Sequence, residues 1–207
     1  MKPVSSRTDL TRERVLTAAS DLISRSGVSD LSMRALAREL DVGVMTLYSY
    51  VRTKDELLDG VADTIVGSLD LSYDSAATWD EQLATIFTKL LDSLDRQPAA
   101  RELFLLRSAE GPALNALRES VIRVLRTAGY SAGQSLHALA VLYSFTLGFA
   151  ATRHRVHANS HTFGEVNVIG SPFLAEALLA YPERASIDSY AVGLRFLLDG
   201  IAAMSRE

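Results

Sequence analysis

Val44, Met45, Thr46, Tyr48 and Tyr50 fall within seven consecutive positions, with Arg34 upstream and Lys54 just downstream. On a helix with one free face, these residue types could make the contacts that DNA offers. Val44 and Met45 can touch thymine methyls, Thr46 and the tyrosines can reach base edges, sugars or phosphates, and the two cations can pair with phosphates. A second cluster, His154, His157 and His161, has i, i+3, i+7 spacing, which on a continuous helix would align three imidazoles as a zinc or nickel site needs. Arg153 and Arg155 beside them would repel a cation, and such side chains also settle well at a helix C-terminus. The plainer reading, a solvated helix end, is preferred, and neither metal nor cofactor is expected. Cysteine is absent, which excludes thiolate metal sites, disulfides and cysteine nucleophiles together. There is also no Gly-x-Ser-x-Gly elbow, phosphate-binding loop or His-Glu-x-x-His pair, so an enzyme is not expected.

Charge supports a nucleic-acid role only once it is divided along the chain. The net charge is −4, and an anionic surface repels phosphate. Residues 1–54, however, hold nine Lys and Arg against six Asp and Glu, a net +3, while residues 55–207 hold 12 against 19, a net −7. The basic part comes first and contains the DNA-type constellation. At 207 residues, 48% hydrophobic and 22% charged, the chain can bury one large core or two smaller ones. No apolar stretch looks long enough to span a bilayer, and the opening residues lack the apolar run of a secretory signal. A cytoplasmic protein with no membrane partner is expected.

The elements that must position these residues read as helices throughout. Val15, Ala18, Ala19, Leu22 and Ile23 follow i, i+3, i+4 spacing, and similar stripes recur along the chain. Gly27 can end the first helix in a positive-φ conformation, and Ser32 can cap the next. Three S/T-x-x-E/Q capping boxes, Thr53 with Glu56, Thr78 with Glu81 and Ser131 with Gln134, mark further helix starts. The pattern predicts helices near 9–26, 33–40, 44–50, 54–70, 79–95, 99–107, 112–128, 131–156, 172–180 and 187–204, with a long loop from His157 to Ser171. The fold class is therefore all-α. Three short helices form a helix-turn-helix domain over 1–54, in which Leu36, Ala37, Leu40, Val42 and Leu47 pack inward, and a larger helical bundle covers 55–207.

The run from Leu31-Ser32-Met33-Arg34-Ala35-Leu36-Ala37 through Thr46-Leu47-Tyr48-Ser49-Tyr50 to Lys54-Asp55-Glu56-Leu57-Leu58 resembles the DNA-binding signature of the tetracycline-repressor family. The resemblance implies a homodimer that places one recognition helix per subunit in a palindromic operator and is regulated by a small molecule bound in the C-terminal domain. It also implies polar contacts from Arg34 and Thr46, phosphate or base contacts from Tyr48 and Tyr50, and a phosphate contact from Lys54. Asp41 is a departure, because such turns usually carry glycine there; aspartate tolerates the left-handed region better than most residues.

The likeness continues more weakly through Gly129-Tyr130-Ser131 and Ser144-Phe145-Thr146-Leu147-Gly148. In that register the drug and magnesium positions of tetracycline repressors fall at or near Asp70, Ile86, Leu90, Leu105 and Val121, four of them apolar. A magnesium-tetracycline chelate needs oxygen and nitrogen donors, so a different, largely apolar effector is expected. Candidate pocket residues are Ile86, Phe87, Leu90, Phe104, Leu105, Val121 and Tyr143, with Arg107 as an anionic anchor; each alone also reads as ordinary bundle core. The helices near 131–156 and 187–204, rich in small residues such as Ala138, Ala140, Ala150, Gly193, Gly200 and Ala202, are by the same resemblance the dimer-forming pair. Repression is the expected sign of regulation, and a regulator answering to a protein partner, or to no effector, is the alternative.

Overall fold

The computed structural model describes residues 10–70, 72–106, 110–158, 171–180 and 187–204. They form ten α-helices: α1 (Arg12–Ser26), α2 (Met33–Glu39), α3 (Val44–Leu47), α4 (Lys54–Gly67), α5 (Trp79–Arg96), α6 (Pro98–Leu106), α7 (Pro112–Thr127), α8 (Ala132–Ala158), α9 (Pro172–Ala180) and α10 (Ile187–Ala202). The helix order agrees with the periodicity, and strands are absent among the described residues. By contact the chain forms two compact units, one from Met1–Leu71 with Asp92–Ser120, the other from Ser72–Leu91 with Val121–Glu207.

In the first unit, α1 starts where the Thr11 hydroxyl accepts the Arg14 N–H at 3.2 Å. Val15, Leu16, Ala19 and Ile23 are buried along one face, against α4 and α6. The helix stops at Gly27, whose φ of +84° suits a residue without a Cβ. Gly60 on α4 allows a close crossing, since a Cβ there would stand 2.8 Å from Leu16 Cδ2.

A helix-capping device joins two distant segments of this unit. Asp63 on α4 accepts the backbone N–H groups of Ala113 and Leu114, at 2.8 and 3.0 Å, and so caps the start of α7 from another helix. Gly111 sits directly over this carboxylate, and a Cβ added there would overlap Asp63. Gly111→Ala is therefore expected to lower stability by about 1–3 kcal/mol through overpacking. Urea denaturation checks this, and an unchanged midpoint would mean that the turn and cap adjust without cost.

In the second unit, α8 and α10 pack together. Their buried polar link is Tyr190, whose hydroxyl lies 2.9 Å from Thr146 Oγ1 and donates to the Phe87 carbonyl at 3.1 Å. Tyr190 also stacks on Phe145, with ring centroids 5.4 Å apart. Gly193 is consumed by this same contact, because a Cβ would stand 2.6 Å from Phe145 Cζ. At the start of α5, Arg195 pairs with Asp80 at 2.9 Å. A hydrogen bond from Thr78, aided by Arg195, holds the Asp80 carboxyl below its ordinary range.

One expectation is corrected by α8. Its Ala132–Arg153 segment, 22 residues, is long and apolar enough to cross a membrane by length and composition, although no such stretch was expected. Its polar positions are few and mostly uncharged, and Ser135 and Thr146 are turned into the protein. Only 33% of the most apolar window is buried. Leu136 and Val141 on α8, with Val192 and Phe196 on α10, are exposed apolar side chains. The predicted loop from His157 lies outside the described residues from position 159 to 170, and α8 itself runs on to Ala158.

Candidate nucleic-acid interface

The first unit holds α2 and α3 in the crossing that a helix-turn-helix requires. Ser32 caps α2 by accepting the Ala35 N–H at 3.1 Å, and Leu36 and Ala37 are buried beneath it. The turn then depends on Asp41, whose φ of +53° makes it the one non-glycine residue with positive φ among those described. This is the left-handed position that the sequence marks as unusual, and it is where the chain turns from α2 toward α3. The Val42 N–H closes the turn on the Ala37 carbonyl at 3.0 Å.

The recognition segment is shorter as a regular helix than its periodicity suggests. It ends at Leu47 rather than near Tyr50. Beyond it the Ser49 and Tyr50 N–H groups bond to Thr46 and Leu47 carbonyls, at 3.2 and 2.9 Å, which is the tighter i to i+3 pattern. Ser49 Oγ reinforces this by donating to the Thr46 carbonyl at 2.6 Å. Leu47 and Val51 are fully buried and anchor the segment from below.

The DNA-type side chains are presented outward to differing degrees. Met45 is 80% exposed and Tyr48 42%, which is unusual for large apolar or aromatic groups with no partner. Arg34 and Thr46 are also exposed, while Val44, Tyr50 and Lys54 are half-buried. Lys54 Nζ lies 3.4 Å from the Val28 carbonyl in the turn between α1 and α2.

That turn is held by a residue the sequence does not advertise. Glu102, on α6, accepts the Val28 N–H at 2.9 Å, so both backbone groups of Val28 are met by charged side chains from distant positions. Beside it Arg101 is buried, and burial pulls its pKa below the ordinary value while Asp95 and Glu102 oppose the shift. At the start of α4, Thr53 accepts the Glu56 N–H at 3.0 Å as its capping box predicts. Glu56 does not return to Thr53; it takes the Arg52 N–H at 2.8 Å instead.

The effector candidates fall in both units. Ile86, Phe87, Leu90 and Val121 are at most 2% exposed in the second unit, where Tyr143 is half-buried. Phe104 is buried in the first unit. Arg107 lies outside the described residues, as do the side chain of Leu105 on α6 and the imidazoles of His154, His157 and His161. No group of three or more His, Asp or Glu able to hold a metal occurs among the described residues.

A capped α2, a positive-φ turn and a short α3 seated on a buried apolar base form the helix-turn-helix geometry of DNA-binding regulators. Residues 15–61 match the family model described as bacterial regulatory proteins, tetR family, and residues 73–205 match the tetracyclin repressor-like C-terminal domain. The chain belongs to the TetR family of transcriptional regulators. It is 31% identical to an HTH-type transcriptional regulator of Saccharopolyspora erythraea, over 74% of this chain and 66% of that one. It is 27% identical to the HTH-type transcriptional repressor DrrR1 of Streptomyces coeruleorubidus, over 94% of this chain and 78% of that one. Apo ActR of Streptomyces coelicolor has the same fold, with a TM-score of 0.81 at 24% identity, covering 96% of this chain and 97% of ActR. ActR has also been solved with actinorhodin and with (S)-DNPA.

Proposed function

We propose that this chain is a cytoplasmic, homodimeric repressor that binds a palindromic operator and is released by a small-molecule effector. Residues 1–54 carry DNA contact, and residues 55–207 carry effector binding and dimerisation. The observation that supports the reading most is the outward display of Met45, Thr46 and Tyr48 on a segment fixed from beneath by Leu47 and Val51. Arg34, Val44, Tyr50 and Lys54 complete the contact set. The exposed apolar residues of α8 and α10 supply the kind of face that a second copy of this chain would cover. ActR, solved with small molecules bound, and DrrR1, named a repressor, are relatives consistent with an effector-responsive repressor. The effector is largely apolar and not tetracycline, since Ile86, Phe87, Leu90 and Val121 offer no side-chain donor or acceptor to a magnesium chelate; Tyr143 of the same unit completes its proposed surroundings.

An effector that binds the DNA-incompetent arrangement better than the competent one shifts the population away from the operator. The test is polarisation of labelled DNA taken from upstream of the protein's own coding sequence, titrated at several salt concentrations. Saturable binding to a palindrome is expected, and binding no tighter than to random DNA overturns the reading for that site. In the same assay Lys54→Ala should reduce the salt slope by about one, the loss of one phosphate contact. An unaltered slope would leave Lys54 as a fastener of the Val28 turn alone.

A further inference from the structure

The second unit contains a preformed cleft outside the apolar core, at the corner where residues 72–78, the start of α5 and the end of α7 meet. Its volume is about 420 Å³, within the range of sites that hold small organic ligands. The strand of chain that forms one wall is pinned rather than loose. Lys89 Nζ donates to the Ser72 carbonyl at 2.6 Å, Asp74 accepts the Ala76 N–H at 2.8 Å, and Gln82 Nε2 donates to the Ala77 carbonyl at 2.8 Å. Trp79 is fixed in turn by an edge-on contact with Tyr130, with ring centroids 5.3 Å apart.

The lining has a definite chemistry. Tyr73 and Trp79 supply aromatic surface, and Arg123 is the only charged residue among the nine that line the cleft. Arg123 is exposed at this edge of the cleft and is its cationic contact. An exposed guanidinium carries five N–H donors in a planar fork, so it can accept a carboxylate or sulfonate while keeping other contacts. Arg123 on α7 can meet an anionic group, and Tyr73 and Trp79 offer ring surface to a planar one. We propose that this cleft is a binding site for a planar aromatic anion, separate from the buried residues Ile86, Phe87, Leu90 and Val121.

Trp79 is the chain's only tryptophan, so its emission reports directly on occupancy. The probe is 4-nitrobenzoate, a planar anion that quenches indole, with 4-nitrobenzamide as the uncharged counterpart. The full-length protein is titrated with each in the absence of DNA, so the outcome is independent of operator binding. Saturable quenching by the benzoate and only linear, collisional quenching by the amide are expected. Arg123→Ala should weaken benzoate binding roughly tenfold, as loss of a charge-assisted hydrogen bond does. Arg123→Lys, which keeps the charge but not the fork, should fall between the two. Circular dichroism and the unliganded Trp79 emission show whether each variant keeps its fold. Linear quenching by both probes, or equal benzoate affinity in a folded Arg123→Ala protein, overturns the proposal.

Discussion

Tyr48→Ala should lose roughly ten- to a hundredfold in operator affinity while melting at the same temperature as the parent protein. The two halves of this expectation come from different observations. Tyr48 is 42% exposed, so its ring contributes little to the core that Leu47, Val51 and Leu36 form below it. Its position at the end of α3 carries the ring and hydroxyl outward, where a groove-bound helix would place them against sugar, phosphate or base. Ser49 and Tyr50 keep the tight turn through backbone bonds that alanine does not disturb. Polarisation against the operator, paired with a thermal melt, checks both halves. If affinity is unchanged, the recognition segment faces elsewhere; if the melting temperature drops with affinity, Tyr48 is a packing residue.

Glu102→Ala should destabilise the first unit by about 1–3 kcal/mol, because the Val28 N–H it accepts is left without its charged partner in a part-buried turn. Val28 itself is buried, so water cannot replace the carboxylate freely. Glu102→Gln retains an acceptor oxygen and should cost less, losing only the charge. Urea denaturation of the three proteins gives the order, and operator affinity follows it if the turn positions α2 for DNA. Equal midpoints for the alanine variant and the parent would show that the contact contributes nothing net. Gly27, whose added Cβ would lie 3.5 Å from Glu102 Oε1, offers an independent view of how closely this carboxylate is seated.

The local features of the fold were legible because they are written in short spacings. Ser32, Thr53 and the Ser131–Gln134 box announce helix starts, and each makes its capping bond. Asp41 stood out by residue type alone, and its backbone adopts the positive φ that the turn needs. The end of α3 was less legible, since periodicity does not distinguish an α-turn from the i to i+3 bonds that follow Leu47. Glu102 and Asp63 could not be singled out at all. Each is a carboxylate in an ordinary amphipathic helix, and its partner lies 74 or 50 positions away. Arg101 is similar, a buried cation that reads as surface in any linear pattern. Apolar residues posed the opposite difficulty. Gly193 looked like a surface for close helix approach, yet its missing Cβ is filled by Phe145 of the same chain.

The bond from Glu102 to Val28 also bears on how the protein is made. Synthesis runs from the N-terminus, so α1 to α4 emerge well before α6. The helix-turn-helix therefore leaves the ribosome with its α1–α2 turn held by Lys54 but not yet by Glu102, and the residues of α7 that Asp63 caps arrive later still. A nascent chain stopped at residue 71 would carry Met45, Thr46 and Tyr48 on the base of Leu47 and Val51, but without the Glu102 bond to the α1–α2 turn. The full set of bonds that fastens the first unit is thus reserved for chains that have also produced α6 and the start of α7.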